Sequence, residues 1–245
     1  MAARLVLDEA SLKSALQEQA RLAVQPPPPG RLDQVRLTFG LFNARYEFRL
    51  AARDEQAQIE SAAGDPPLAA EVERLLPPPL ATAMPGAVAA IRAIRRLAGI
   101  TDPSQAHYEL RSFDESTPVE MLDSYYHAAG GRWGLDWTYL AAINFIESDF
   151  GRDVGPSGAG ALGPMQFEPA TWGEYGAGGD VMDPRASIFA AAHYLAANGA
   201  PGDMAGAVFA YNHDRDYVAA VTGYAAAIRA DPTWLPSFYY WSTYG

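Results

Sequence analysis

The chain has 245 residues, 49% of them hydrophobic and 19% charged, which describes a globular protein with a sizeable core and excludes wholesale disorder. Its net charge of -11 is uneven: from Glu120 onward 14 acids face 5 arginines, whereas the first 119 residues hold 15 acids and 13 bases. Such a surface repels phosphate backbones, so nucleic acid is a poor partner, and the absence of cysteine excludes disulfides, thiolate metal sites and a cysteine nucleophile.

The apolar runs are short. None approaches the roughly 18 residues of a membrane span, and the opening "MAARLVLDEASLK" carries too brief an apolar stretch for a secretory signal. In chain order, Asp8 to Val24 places Leu12, Leu16 and Ala20 at helical spacing and stops at the Pro26 to Pro29 run, read as a linker. Between Leu32 and Ala63 two patterns compete. Val35, Leu37, Phe39 and Leu41 alternate as in a strand, yet Leu41, Ala44, Phe48 and Ala51 hold helical period into "RDEQAQIES", which favours helix.

Short helices are expected at Pro67 to Leu76 and Pro85 to Leu97, separated by Pro77 to Pro79, followed by a polar connector from Thr101 to Pro118. Asp136 suits the N-cap of a helix reaching Asp149. Asp183 with Pro184 starts another, ending at Asn198 and Gly199. Asp203 caps a third, and Asp216 to Ala230 forms a fourth. The expectation is all-α: a helical N-terminal region, 1–118, and a domain of short packed helices, 119–245.

On the helix from Trp137, Leu140, Ile143, Glu147 and Phe150 share one face, so Glu147 projects from an apolar stripe. Lost solvation raises the pKa of such a carboxyl, as a general acid for glycosidic cleavage requires. A structural glutamate satisfied by a partner, or one reaching solvent at a helix end, fits the same pattern. Five glycines follow between Gly151 and Gly163, leading to "GPMQF", where Gln166 sits between the apolar Met165 and Phe167. That mixture of amide and apolar surface suits a sugar, although glycine-rich segments are commonly plain loops. In "FAYNHDRDYV", the Tyr211 phenol is placed to hydrogen-bond a carboxyl and the Asn212 amide to hold an acetamido group; a buried capping pair is the alternative.

Glu147-Ser148, then "GPMQ" at 163–166, then "AYN" at 210–212, resemble in order and spacing the signature of lytic transglycosylases with the goose-type lysozyme-like fold. "WTYLAAINFIESDFGR", "GAGALGPMQFEPATW", "GGDVMDPRASIFAAAHYLAANGAP" and "YNHDRDYVAAV" extend the likeness to the exported domains of this kind in actinobacteria, over about Met121 to Ile228. The resemblance implies that Glu147 is the single acid/base cleaving the β-1,4 bond between N-acetylmuramic acid and N-acetylglucosamine, leaving 1,6-anhydromuramyl ends. It also implies that Ser148 orients the loop or substrate, and that Met165, Gln166 and Phe167 line the glycan groove. Tyr211 would position the glutamate and Asn212 contact substrate. No cofactor or metal is implied, and the substrate, peptidoglycan glycan strands, implies an extracytoplasmic site of action.

The sequence departs from the family where Pro164 replaces a common leucine and where His213 and Asp214 follow Asn212; a metal or relay role for that pair is weaker than a polar surface one. A glycosidase with two carboxylates, Asp153 or Glu168 serving beside Glu147, remains an alternative, because Asp149 points away on the helix. So does a peptidoglycan-binding module without chemistry. Trp172 and Tyr175 are groove candidates, while the terminal "WLPSFYYWSTYG" reads as a chain end docked on the domain. The N-terminal region either covers the back of the catalytic domain or binds a cell-envelope partner.

Overall fold

The computed structural model describes residues 1–23, 31–101 and 117–241, so the Pro26 to Pro29 linker and nearly all of the Thr101 to Pro118 connector lie outside the described residues. The described residues form eleven helices, and their only β pairing is a single bridge between Leu162 and Phe167. None of these helices is long and apolar enough to cross a membrane.

Helix α1 (Ala2–Ala23) and the long α2 (Arg31–Gly64) pack side by side and antiparallel, Arg4 at the start of one pairing with Asp54 late in the other. The helical period of Leu41, Ala44 and Phe48 therefore prevails over the strand alternation. Helix α3 (Pro66–Leu75) is capped by Asp65, whose side chain accepts from the Leu68 N–H at 3.0 Å. Helix α4 (Pro78–Leu97) corrects the expected start at Pro85. Pro78 and Pro79 occupy its first turn, where backbone donors have no helical acceptor anyway. Pro85 lies inside the helix, which gives up one backbone hydrogen bond there.

The second half supplies α5 (Val119–Trp133), α6 (Thr138–Ser148), α7 (Pro169–Tyr175), α8 (Pro184–Ala197), α9 (Met204–Tyr211), α10 (Arg215–Ala230) and α11 (Trp234–Tyr239). The expected aspartate caps recur with shifts of one or two positions. Asp136 binds the backbone N–H and hydroxyl of Thr138 at 3.1 and 2.7 Å, just outside α6. Asp183 and Asp203 cap α8 and α9 as the sequence suggests, but α10 is capped by Asp214 rather than started at Asp216.

Helix α6 runs through the core, with Leu140, Ala141, Ala142, Ile143 and Phe145 buried against α8, α10 and α11. Phe145 lies between the parallel rings of Phe150 and Phe238, 5.1 and 5.6 Å away, so the C-terminal aromatic run does dock the chain end into the core. One continuous apolar core joins both halves. At its seam α4 crosses α10 in backbone contact: a methyl group on Gly86 would lie 2.6 Å from the Gly223 carbonyl oxygen, and one on Gly223 would lie 2.5 Å from that of Gly86.

Candidate active site

Helix α6 ends in an abrupt reversal directly after Glu147. Asp149 and Phe150 both take the left-handed conformation, with φ of 50° and 59°, and their amides return to the carbonyls of Phe145 and Asn144. Ser148, buried below the turn, accepts the Gly151 N–H at 2.8 Å and donates to the Pro164 carbonyl at 2.6 Å. Glu147 is left on the last helical turn, half-buried, with its carboxyl opening on a groove of about 500 Å³.

Tyr217 reaches that carboxyl from α10, its hydroxyl donating to Oε1 at 2.5 Å. Burial raises the Glu147 pKa to about 7, against the opposing pull of the Tyr217 hydrogen bond. The group thus holds its proton at mildly acidic pH and exchanges it near neutrality. The Tyr217 phenol is itself pushed well above its usual range, first by burial and then by the neighbouring Glu147 charge, so it remains a donor.

The facing wall is the Gly163 to Phe167 turn. Gly163 has φ 79°, and a methyl group there would lie 2.1 Å from the Val181 carbonyl oxygen, so only glycine fits. Two ties hold the turn to the helices: Pro164 accepts from Asn144 Nδ2 at 2.7 Å as well as from Ser148, and Met165 accepts from the Tyr211 hydroxyl at 2.6 Å. Gln166 follows in the left-handed region with φ 47°, its amide nitrogen 3.1 Å from the Gly163 oxygen and 3.3 Å from that of Gly155. It lines the groove with Phe167, Tyr194, Tyr211 and Asn212.

Several expected assignments change. Met165 is fully buried and Ser148 nearly so; both support the groove from beneath and neither lines it. The Tyr211 phenol does not reach Glu147, because its hydroxyl is engaged by Met165; Tyr217 takes that place. Trp172 and Tyr175 brace the wall from behind, Trp172 against Phe167 with ring centroids 5.5 Å apart and Tyr175 against Tyr194 at 5.1 Å. Tyr194, which the sequence reading missed, lines the groove with its hydroxyl on the Ala210 carbonyl at 2.8 Å.

Among the other carboxylates, Asp149 is buried and paired with Arg152 at 3.3 Å. Asp153 is exposed and lies outside the groove lining, whereas Glu168 lines the groove and is exposed. Glu168 stands at the N-cap of α7 without using its side chain as a cap. His213 lines the same groove, but Asp214 is turned away to cap α10, accepting from the Asp216 and Tyr217 amides at 2.6 and 3.3 Å, so the two do not act as a pair.

A half-buried carboxyl that exchanges its proton near neutrality, lining a groove with an amide and held by a phenol, is equipped to protonate a leaving oxygen and take a proton back. Residues 124–229 match the family described as "Transglycosylase SLT domain". No curated protein and no solved structure matches the chain significantly. The matched segment contains the whole of α6, the Gly163 to Phe167 turn, α9 and the phenol of Tyr217. Residues 124–229 of this chain therefore belong to the transglycosylase SLT domain family of enzymes, lytic transglycosylases of all-α, lysozyme-like fold that act on peptidoglycan.

Proposed function

We propose that the chain cleaves the β-1,4 bond between N-acetylmuramic acid and N-acetylglucosamine and closes a 1,6-anhydromuramyl ring, with Glu147 as sole acid and base. The glycan strand lies in the groove. Glu147, protonated, gives its proton to the glycosidic oxygen, which leaves as the 4-hydroxyl of N-acetylglucosamine while the muramyl C1 becomes cationic and is stabilised by its own 2-acetamido oxygen. The Glu147 carboxylate then takes the proton of the muramyl 6-hydroxyl as that oxygen bonds to C1. Glu147 ends protonated as it began, and no water is consumed.

The observation that carries this reading is the Glu147 carboxyl itself, raised by burial to about 7 and so able to serve as acid and then base within one turnover. Tyr217, donating to Oε1, stabilises the carboxylate formed after the first transfer. Gln166, Phe167, Tyr211 and Asn212 offer the sugar amide groups and aromatic surface along the groove. Such a substrate assigns the activity to the cell envelope or beyond it.

Glu168, exposed on the groove wall, favours a second reading in which a second carboxylate directs water and the reaction is hydrolysis. Mass spectrometry of the soluble products from purified peptidoglycan separates the two. Anhydromuramyl ends that vanish in Glu147→Gln and persist in Glu168→Gln support the transglycosylase. Reducing ends that require both carboxylates support the hydrolase. No products from the wild-type protein, on a sample that a muramidase digests, leave a binding module.

A further inference from the structure

From the geometry around α6 we infer that Asn144 is a positioning residue of the reaction, the tie that sets the Gly163 to Gln166 turn at its working height over Glu147; the inference rests on the transglycosylase reading above. Asn144 lies one helical turn before Glu147 and is wholly buried in an otherwise apolar helix. Its side chain makes three bonds. Nδ2 donates to the Pro164 carbonyl at 2.7 Å and to Ser148 Oγ at 3.1 Å, and Oδ1 accepts from the Tyr126 hydroxyl at 2.5 Å. The chemistry fixes the orientation of the amide: the Pro164 carbonyl only accepts, so the nitrogen must face it and the oxygen must face the Tyr126 donor.

The consequence is a rigid bridge across three elements. Tyr126, buried on α5, fixes the amide; Asn144 on α6 fixes Pro164; and the next residue, Met165, is fixed in turn by Tyr211 of α9. Glu147 and Gln166 are the two groove residues at the ends of this bridge, three residues from Asn144 and two from Pro164. Asn144 thus shares with Ser148 and Tyr211 the hold on the turn that carries the amide opposite Glu147, and it alone ties that turn to α5 through Tyr126. None of the Asn144 atoms lines the groove, so it acts through the turn and touches no substrate. A misplacement of about 1 Å at a reacting site can cost roughly 10²-fold in rate, which makes such a tie worth an interior amide.

The test removes the buried Tyr126–Asn144 pair. Tyr126→Phe with Asn144→Leu substitutes apolar groups of similar shape for both members, and the Pro164 carbonyl keeps the Ser148 hydroxyl as its donor, so the change should be close to neutral in stability. The expected double variant melts within a few degrees of wild type, binds substrate with little change in KM, and loses about 10- to 100-fold in kcat. Its turn, held only through Ser148 and Tyr211, loosens and admits water to Glu147. The alkaline limb of the rate profile, and the midpoint of the Glu147 carboxyl followed by ¹³C NMR, both move below those of wild type. A folded double variant with wild-type kcat overturns the inference; if neither protein turns over peptidoglycan, an unmoved Glu147 titration does the same.

Should the double variant not fold, Asn144→Asp decides. Its protonated carboxyl keeps the bonds to Pro164 and Tyr126, though not the one to Ser148, whereas its ionised form sets an oxygen against the Pro164 carbonyl, so kcat relative to wild type should recover as pH falls; a ratio constant across pH overturns the inference. The kcat comparison reads Asn144 whichever ends are formed. The identity of the ends, anhydro or reducing, tests the transglycosylase reading separately.

Discussion

At the scale of single residues the site turns on how one carboxyl is kept from ionising. The pKa of Glu147 is about 7 in the folded protein against an ordinary 4.5, because burial disfavours its charged form. In the proposed mechanism turnover requires the protonated acid, so kcat/KM should fall as pH rises through about 7. Glu147→Gln should lose roughly 10²- to 10⁴-fold or more in turnover. The same shift acts on stability. A carboxyl raised in the folded state contributes fully below its unfolded pKa of 4.5, and that contribution disappears as pH climbs through the folded value near 7. Glu147→Gln should therefore be the more heat-resistant protein at pH 8 and lose that advantage near pH 4; melting curves at the two pH values check it. Tyr217→Phe makes the complementary case. Without the donor that favours the carboxylate, the pKa rises further, so the alkaline limb of the rate profile should move to higher pH while kcat falls.

At the scale of elements, the Gly163 turn is the strictest joint. Gly163→Ala combines a left-handed φ of 79° with a methyl group 2.1 Å from a fixed carbonyl oxygen, and neither side of that contact is a flexible side chain. Overpacking of this kind costs about 1–3 kcal/mol even in favourable cases. The expected result is a destabilised enzyme with the turn displaced and turnover largely lost, measured by denaturant unfolding and product release. Glu147 on its apolar stripe and the aspartates that start α8 and α9 were legible in the sequence, whereas the five glycines after Gly151 marked a loop without showing that Gly163 is the strict one. The Tyr217 contact was not legible. It depends on where α10 crosses α6, and local periodicity carries no information about a crossing. For the same reason Met165 read as a groove residue although it faces inward, whereas Ser148, expected to orient the loop or the substrate, holds the loop at the Pro164 carbonyl: a motif marks the segment, while the turn's left-handed residues decide which side chain points where. The start of α4 was misread because proline was taken as a breaker at Pro78 and Pro79, where the first turn tolerates it.

At the scale of the whole molecule, helices α1 to α4 pack against the half that holds the groove, α4 on α10 and α2 on α11. Helix α10, which presents Tyr217 to Glu147 on one face, meets α4 on another at the Gly86 to Gly223 contact. Removing residues 1–117 would strip that face and expose Gly223 and Ala227, now buried. We expect the fragment from Pro118 to be poorly soluble or molten, as judged by near-ultraviolet circular dichroism; a stable, fully active fragment would instead make the N-terminal region a separate unit. Gly223→Ala probes the same seam without deletion and should unfold the two halves together in one transition at lower temperature, since the methyl would meet backbone rather than a movable side chain.

The polar side of that seam adds a dependence on pH that the site alone would not give. Glu55 of α2 is fully buried, with the Ser237 hydroxyl of α11 donating to Oε2, and burial raises its pKa to about 8, further supported by the nearby charges of Glu9 and Asp8. In the unfolded chain the same carboxyl ionises near 4.5. Between those values the folded protein holds a proton that the unfolded chain has released, so the contribution of Glu55 to stability declines as pH rises from about 4.5 to 8. Glu55→Gln keeps an acceptor for Ser237 and removes the proton. It should therefore flatten the decline, with a higher melting temperature than wild type at pH 8 and little difference at pH 5. Because Glu55 is not among the residues lining the groove and does not act on the Glu147 carboxyl, the pH limb of catalysis near 7 should not move with it. Measuring melting temperature and kcat/KM across one pH series would separate the two carboxyls: Glu147 governs the rate profile, and Glu55 governs how firmly the N-terminal helices stay closed on α11.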